Sequence, residues 1–188
     1  DRDGNAEIYV MNADGTGPIN LSSNPVADAS PAWAPDGKTL AFVSDRDGNQ
    51  EIYLMNADGS QPANLSNNAA ADVDPVWSPD GSRIAFGSDR DGNAEIYLMN
   101  PDGTGQINLT NSPAADGSPA WSPDGRRIVF ASGGIAVINA DGTGFARLTT
   151  NTSCGTTTGC TARTSSGPVW SPDASRIALA WVSTQRIC

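Results

Sequence analysis

The sequence predicts an all-β protein made of four copies of one unit, and two observations carry this prediction. The motif Asp-Arg-Asp-Gly-Asn begins at Asp1, Asp45 and Asp89, which sets a period of about 44 residues. Within each unit, turn signals recur about every 8–12 residues and the short apolar stretches between them lack helical periodicity. Four short strands per unit are therefore expected.

The fourth unit has the same landmarks at altered spacing. Asn139 follows Asn100 by 39 residues and Trp170 follows Trp121 by 49, which places a deletion before the Asp-Gly turn and an insertion after it. We expect one domain, 1–188, with an insertion at 149–167. The repeats then cover about 1–44, 45–88, 89–132 and 133–183.

The unit that begins at residue 31 shows how the strands follow one another. Pro31–Trp33 is a short apolar strand, and the Pro-Asp-Gly sequence that ends at Gly37 favours a tight turn. The next stretch, 39–43, is apolar on both faces, as expected for a strand packed between two layers. The stretch 51–56 alternates, with Ile52 and Leu54 on one face, and 63–66 is the shortest and most polar strand.

Four antiparallel strands in such a unit are typical of a β-propeller blade, so the sequence predicts a propeller of about four blades. The stretch 168–183 supplies the two inner strands of the last blade, and residues 1–22 supply two outer strands. We therefore expect the N-terminal strands to complete the last blade, within one chain or between chains.

Two motifs carry a family resemblance. Trp-Ser-Pro-Asp-Gly-x-x-Ile-Ala-Phe at 77–86 and Ser-Asp-Arg-Asp-Gly-Asn-x-Glu-Ile-Tyr at 44–53 resemble the TolB-like β-propeller repeat, with three strong copies and one degraded copy. The resemblance implies the propeller fold. The resemblance leaves several functions open, because similar proteins include periplasmic and secreted binding modules and the gating propellers of serine peptidases.

The composition excludes several classes of function. The net charge is −10, and the eleven basic residues are scattered singly except for Arg126 and Arg127, which argues against nucleic acid as a partner. The chain contains no histidine, which excludes Ser-His-Asp and Cys-His catalysis and histidine-ligated zinc. No apolar run approaches the length of a membrane span.

Cysteines occur only near the end of the chain, at Cys154, Cys160 and Cys188. Cys154 and Cys160 bracket a short Gly-Thr-rich loop, so a disulfide between them is expected. A disulfide indicates an oxidising compartment, and we expect an extracellular or periplasmic location.

The repeated Asp-x-Asp-Gly-Asn-x-Glu motif places oxygen donors at alternate positions of a turn. Hard cations such as calcium prefer such ligands, but aspartate and asparagine also stabilise turns by bonding the backbone. Both interpretations stay open, and calcium is a possible cofactor. The candidate ligands are Asp1, Asp3, Asn5, Glu7, Asp45, Asp47, Asn49, Glu51, Asp89, Asp91, Asn93 and Glu95.

Three further series recur with the repeat. Asp28, Asp72 and Asp116 precede the tryptophan-bearing strands, and we expect them on solvated loops as turn residues, with a cation-holding ring at the channel mouth as the alternative. The tryptophans at 33, 77, 121 and 170 are expected between blades. Glycosylation acceptor patterns occur at Asn20, Asn64, Asn108 and Asn151.

The sequence favours a non-catalytic scaffold or binding module that associates with itself, including filaments formed by strand exchange, or with another protein. Three nearly identical units argue for this, because an active site needs one blade to differ from the others. Two alternatives stay open: a gating or recognition propeller of a serine peptidase, and a cell-envelope adaptor that binds a protein partner. The chain shows no Gly-x-Ser-x-Gly nucleophile motif.

Overall fold

The computed structural model describes residues 4–149, 162–164 and 167–183, and the strands in these ranges form antiparallel sheets. They are β1 (Tyr9–Val10), β2 (Ile19–Asn20), β3 (Asp28–Trp33), β4 (Thr39–Ser44), β5 (Glu51–Asn56), β6 (Ala63–Asn64), β7 (Asp72–Trp77), β8 (Ile84–Ser88), β9 (Glu95–Met99), β10 (Ile107–Asn108), β11 (Asp116–Trp121), β12 (Arg127–Ser132), β13 (Ile135–Asn139), β14 (Ala146–Arg147), β15 (Ala162–Thr164), β16 (Val169–Trp170), β17 (Ile177–Ala178) and β18 (Trp181–Ser183).

Three of the sheets are four-stranded and correspond to the predicted blades. Blade one is β3-β4-β5-β6, blade two is β7-β8-β9-β10 and blade three is β11-β12-β13-β14, each with its strands in chain order. The predicted Pro-Asp-Gly turn joins β3 to β4, where Gly37 has a φ of 67° and the Lys38 amide donates to Asp36 Oδ1 at 2.9 Å. The all-β propeller architecture is confirmed.

Neighbouring blades pack through the faces of their two middle strands. Val43 and Ile52 of blade one form a buried cluster with Phe86 and Tyr97 of blade two. A second cluster joins blades two and three in the same way. This packing explains why β4 and β8 are apolar on both faces, since each strand contacts a neighbour on either side.

Close backbone approach between blades fixes one glycine. Gly103, in the turn between β9 and β10, has a φ of 81°, and a Cβ there would lie 2.6 Å from the carbonyl oxygen of Leu65 in blade one. Glycine is therefore required both by the turn and by the neighbouring blade.

The ends of the chain contribute two-stranded sheets. β1 pairs with β2, β16 with β17, and β15 with β18, and these three sheets are separate. The N-terminal hairpin packs on blade one, where Ile8 contacts the cluster of Leu40 and Phe42. In the described residues the sheets do not close into a ring, so the expected completion of the last blade by the N-terminal strands is not formed within the chain. The described ranges contain no helix long and apolar enough to cross a membrane.

Candidate functional site

The innermost strands of the blades surround a central depression of about 440 Å³. Four three-residue segments with proline in the middle line it, three within β3, β7 and β11 and the fourth at the start of β16: Ser30–Ala32, Asp74–Val76, Ser118–Ala120 and Gly167–Val169. Proline, alanine and valine dominate the wall, and Asp74 is the one ionisable side chain in it. A concave, mostly apolar site with few polar groups is the usual form of a ligand pocket.

The wall is shaped by a β-bulge in each of three inner strands. The register of β3 against β4 shifts between Ala29 and Ala32, and corresponding shifts occur in β7 and β11. The bulged residues Ser30, Asp74 and Ser118 have φ angles of 51°, 54° and 53°. A left-handed conformation is costly for serine and less so for aspartate. The proline that follows has a fixed φ, so each wall segment has a restricted backbone.

Sequence reasoning placed short strands at these segments but missed the depression. Every unit has a proline two positions before its tryptophan, and this repeated proline was the available signal. The prolines are Pro31, Pro75, Pro119 and Pro168. Proline in a strand marks an edge or a bulge.

The predicted calcium motif forms a hydrogen-bonded turn in blade one. Asn49 donates from Nδ2 to Glu51 Oε1 at 2.8 Å and to the carbonyl oxygens of Asn68 and Ala70 at 3.1 and 2.7 Å. Glu51 is buried and also accepts from Ser66 Oγ at 2.5 Å. Asn93 and Glu95 of blade two and Asn5 and Glu7 of the N-terminal hairpin repeat the Asn-to-Glu bond.

The second aspartate of the motif is bound to a tyrosine. Asp47 accepts hydrogen bonds from the Tyr53 hydroxyl and, at 2.7 Å, from Asn64 Nδ2. The bond from Tyr53 lowers the pKa of Asp47 below its usual value, while burial and the bond to Asp47 raise the pKa of Tyr53 to about 12. Asp91 and Tyr97 have the same relationship in blade two.

These hydrogen bonds give the motif a role in stabilising the turn. Calcium binding stays a prediction. No group of three or more acidic or cysteine side chains arranged to hold a metal occurs in the described ranges. Several predicted site residues, Asp1, Asp3, Asn151, Cys154 and Cys160, lie outside the described residues.

The second aspartate series differs from expectation. Asp28, Asp72 and Asp116 are not on solvated loops: each is the first residue of an innermost strand and is at most 1% exposed. Two of them are neutralised by ion pairs, Asp28 with Arg46 at 3.3 Å and Asp72 with Arg90 at 3.1 Å. A buried carboxylate is tolerated when a cation pairs with it. The aspartate and its arginine lie in successive repeats, so one repeat read alone does not show the pair.

The sequence motifs for glycosylation are part of the same bonding pattern. Asn64 donates to Asp47 and accepts from the Asn67 amide at 2.9 Å. Ser66, the third residue of this glycosylation motif, is buried. Asn108 is bound to Asp91 and to the Asn111 amide in the same way. Modification of Asn20, Asn64 and Asn108 stays a prediction.

Two of the four tryptophans connect neighbouring blades, as expected. Trp77 Nε1 donates to the carbonyl oxygen of Ala32 at 3.1 Å, and Trp121 Nε1 donates to that of Val76 at 3.2 Å. Each bond runs from one blade to the inner strand of the preceding blade. Trp33 is 47% exposed.

Comparisons with solved structures identify similar folds. The chain is 28% identical to TolB from Agrobacterium tumefaciens over 76% of this chain and 56% of that one, with a TM-score of 0.70. It is 26% identical to TolB from Acinetobacter baumannii over 92% of this chain and 42% of that one, with a TM-score of 0.75. The chain thus spans about half the length of these TolB structures.

A more distant likeness concerns the fold alone. An oligogalacturonate lyase solved in complex with manganese is 19% identical over 96% of this chain and 54% of that one, with a TM-score of 0.71.

No curated protein sequence is similar enough to count as a match. The family model of the TolB beta propeller domain matches residues 1–73, 46–109 and 63–186. The chain therefore belongs to the TolB β-propeller domain family.

Proposed function

We propose that this chain is a non-catalytic β-propeller module that binds a segment of another protein in the central depression. The observation that carries the proposal is the wall of the depression, in which proline-centred segments from four inner strands present an apolar surface with a restricted backbone. A restricted backbone favours binding, because little conformational entropy is lost when a ligand enters. Asp74 alone supplies no pair of groups for acid–base or nucleophilic chemistry.

Selection from a random peptide library tests this function. Peptides chosen on the wild-type chain should be rich in apolar residues, and Ala120→Trp, which fills the depression, should abolish their binding. Ala63→Trp is the matched control, because Ala63 is exposed on the outermost strand of blade one and far from the inner strands in the order of the sheet. Peptides that bind the Ala120→Trp and wild-type chains equally would contradict the proposal.

A second candidate is self-assembly by strand exchange. The N-terminal hairpin corresponds to the two outer strands of a blade, and β15–β18 correspond to the two inner strands, yet they form separate sheets. We propose that two copies bring these halves together and that repetition produces filaments. Trp33 of one copy then donates to the Val169 carbonyl of the next, as Trp77 does to Ala32 within the chain. Trp33 and Val169 are 47% and 55% exposed.

Light scattering over a wide concentration range tests this assembly, with electron microscopy of the same samples. Wild-type chains should form concentration-dependent linear particles, and Trp33→Arg should remain monomeric. A monomeric wild-type chain at every concentration would contradict self-assembly and leave the binding function untouched.

We place the module outside the cytoplasm, in an oxidising compartment, on the spacing of Cys154 and Cys160. The two alternative functions, a recognition propeller of a serine peptidase and an envelope adaptor, would use the same depression. Mass spectrometry of the native protein tests the compartment: a disulfide between these cysteines is expected, and three alkylated thiols would contradict it.

A further inference from the structure

A guanidinium receptor is built into blades one and two. Arg90 Nη2 lies 3.1 Å from both carboxylate oxygens of Asp72, and Arg90 Nε donates to Ser88 Oγ at 2.8 Å. In blade one Arg46 binds Asp28 and Ser44 with the same atoms, at 3.3 and 2.8 Å. The geometry therefore belongs to the repeat.

Aromatic rings complete this receptor. The guanidinium carbon of Arg90 lies 5.6 Å from the ring centre of Phe86 and 4.5 Å from that of Tyr97. These are cation–π distances, and the arginine side chain is 20% exposed, so the guanidinium is held against a ring near the surface. The receptor consists of a buried carboxylate, a buried hydroxyl and a ring face.

Blade three keeps the aspartate, the serine and the phenylalanine of the receptor but has lost its arginine. Asp116 and Ser132 correspond to Asp72 and Ser88 and are 1% and 0% exposed, and Phe130 corresponds to Phe86. The turn after β12 is reduced to Gly133 and Gly134, so no arginine follows Ser132.

Two acceptor atoms of blade three remain without a hydrogen-bond donor. These are Asp116 Oδ1 and Ser132 Oγ, while Asp116 Oδ2 accepts from Ser112 Oγ at 2.9 Å. Arg147 donates to the main-chain oxygen of Ser132, and no ion pair to Asp116 is found among the described residues. Both acceptors are buried, and an uncompensated buried carboxylate is strongly unfavourable.

We propose that blade three binds a guanidinium group from outside the chain. The guanidinium contacts Asp116 Oδ1 and Ser132 Oγ and lies against Phe130, in the position that arginine occupies in the other blades. Ala136 pairs with Phe130 where Tyr97 pairs with Phe86, so the tyrosine ring is replaced by a methyl group, and the exposed ring of Phe145 lies 6.2 Å from that of Phe130. Entry displaces the exposed Arg147 side chain from Ser132. The ligand class is a guanidinium compound, either an arginine side chain of a partner or a free small molecule.

Methylguanidinium chloride is the probe, compared with sodium chloride at equal ionic strength. Thermal melting of the wild-type chain should rise and saturate with methylguanidinium, and Asp116→Asn should remove the response. Arg90→Ala is the matched control, because it recreates the receptor in blade two with Tyr97 retained, and it should add a second saturable response.

The outcomes separate the possibilities. A response of Arg90→Ala to methylguanidinium, with no response of the wild type to methylguanidinium or to an arginine-containing peptide, would overturn the proposal, because blade three would then be closed to the ligand. A wild-type response that survives Asp116→Asn would also overturn it. An arginine-containing peptide that produces the response when free methylguanidinium does not would assign the site to a protein partner, and the reverse would assign it to a small molecule.

Discussion

Arg90 and Asp72 form an ion pair in which a single guanidinium nitrogen contacts both oxygens of a fully buried carboxylate at 3.1 Å. The same pair holds the turn after the second strand onto the first strand of the blade. Because Asp72 is inaccessible to water, its charge depends on Arg90 for compensation.

Removing the cation from blade two and the carboxylate from blade three should have unequal effects. Arg90→Met keeps the apolar stem but leaves Asp72 unpaired, and we expect a loss of about 3–5 kcal/mol in the free energy of unfolding. Asp116→Asn should be neutral or stabilising, because it removes a charge that lacks a cation. Urea denaturation is the suitable measurement, since guanidinium chloride is itself a candidate ligand. Equal losses in the two variants would contradict this account.

Two glycine substitutions test the packing between blades. Gly92→Ala should cost about 1–2 kcal/mol, because Gly92 has a φ of 101° but a Cβ there would meet no atom within 4 Å. Gly103→Ala should cost clearly more, since its Cβ would also overlap the Leu65 carbonyl oxygen of the neighbouring blade. The comparison of urea midpoints is decisive, and similar midpoints would show that the blades are not packed as described.

The tyrosines predict a specific alkaline behaviour. Burial and the hydrogen bond to Asp91 raise the pKa of Tyr97 from 10.0 to about 12. A proton held more tightly in the folded state stabilises the fold below pH 10, and this contribution is lost as the pH rises from 10 to 12. Ultraviolet titration should show tyrosinate forming late in the wild type, and Tyr97→Phe should remove part of the late phase. Ionisation of all tyrosines near pH 10 would be inconsistent with these bonds.

Chelation distinguishes the two interpretations of the Asp-x-Asp-Gly-Asn turns. If calcium occupies them, EDTA should lower the melting temperature, by an amount that corresponds to about 2.7 kcal/mol when calcium had been at a hundredfold excess over its Kd. If they are turns held by the bonds of Asn49 and Asp47, melting should not change and elemental analysis should find no calcium. Asn49→Ala is expected to destabilise the chain in both cases, because three hydrogen bonds to Glu51, Asn68 and Ala70 are lost.

The sequence predicted the blades well because their strands carry local signals. The alternation of 51–56 and the apolar stretch 39–43 are both strands in the structure, and the Pro-Asp-Gly turn lies where proline and glycine favour it. The ends of the strands were predicted less well. The polar strand expected at 63–66 spans only Ala63–Asn64, and Leu65 and Ser66, which follow it, are buried.

Features that join distant residues were not predictable from one unit. Asp28 resembles a loop residue until Arg46, eighteen positions later, is known to pair with it. The left-handed Ser30 depends on the register of β3 against β4, which the sequence does not encode locally. Complementary strand content predicts that the N-terminal strands complete the last blade, within one chain or between chains. It does not say which, because pairing between sheets depends on the angle between blades, and that angle arises from packing.

The position at which a selected apolar peptide binds tests the proposed function most directly. Amide chemical shifts of the labelled chain should change at the residues on either side of the prolines in Ser30–Ala32, Asp74–Val76, Ser118–Ala120 and Gly167–Val169 as peptide is added. The outer strands β6 and β10 should be unaffected. Shift changes confined to those outer strands, with the inner segments unchanged, would contradict the claim that the central depression is the binding site.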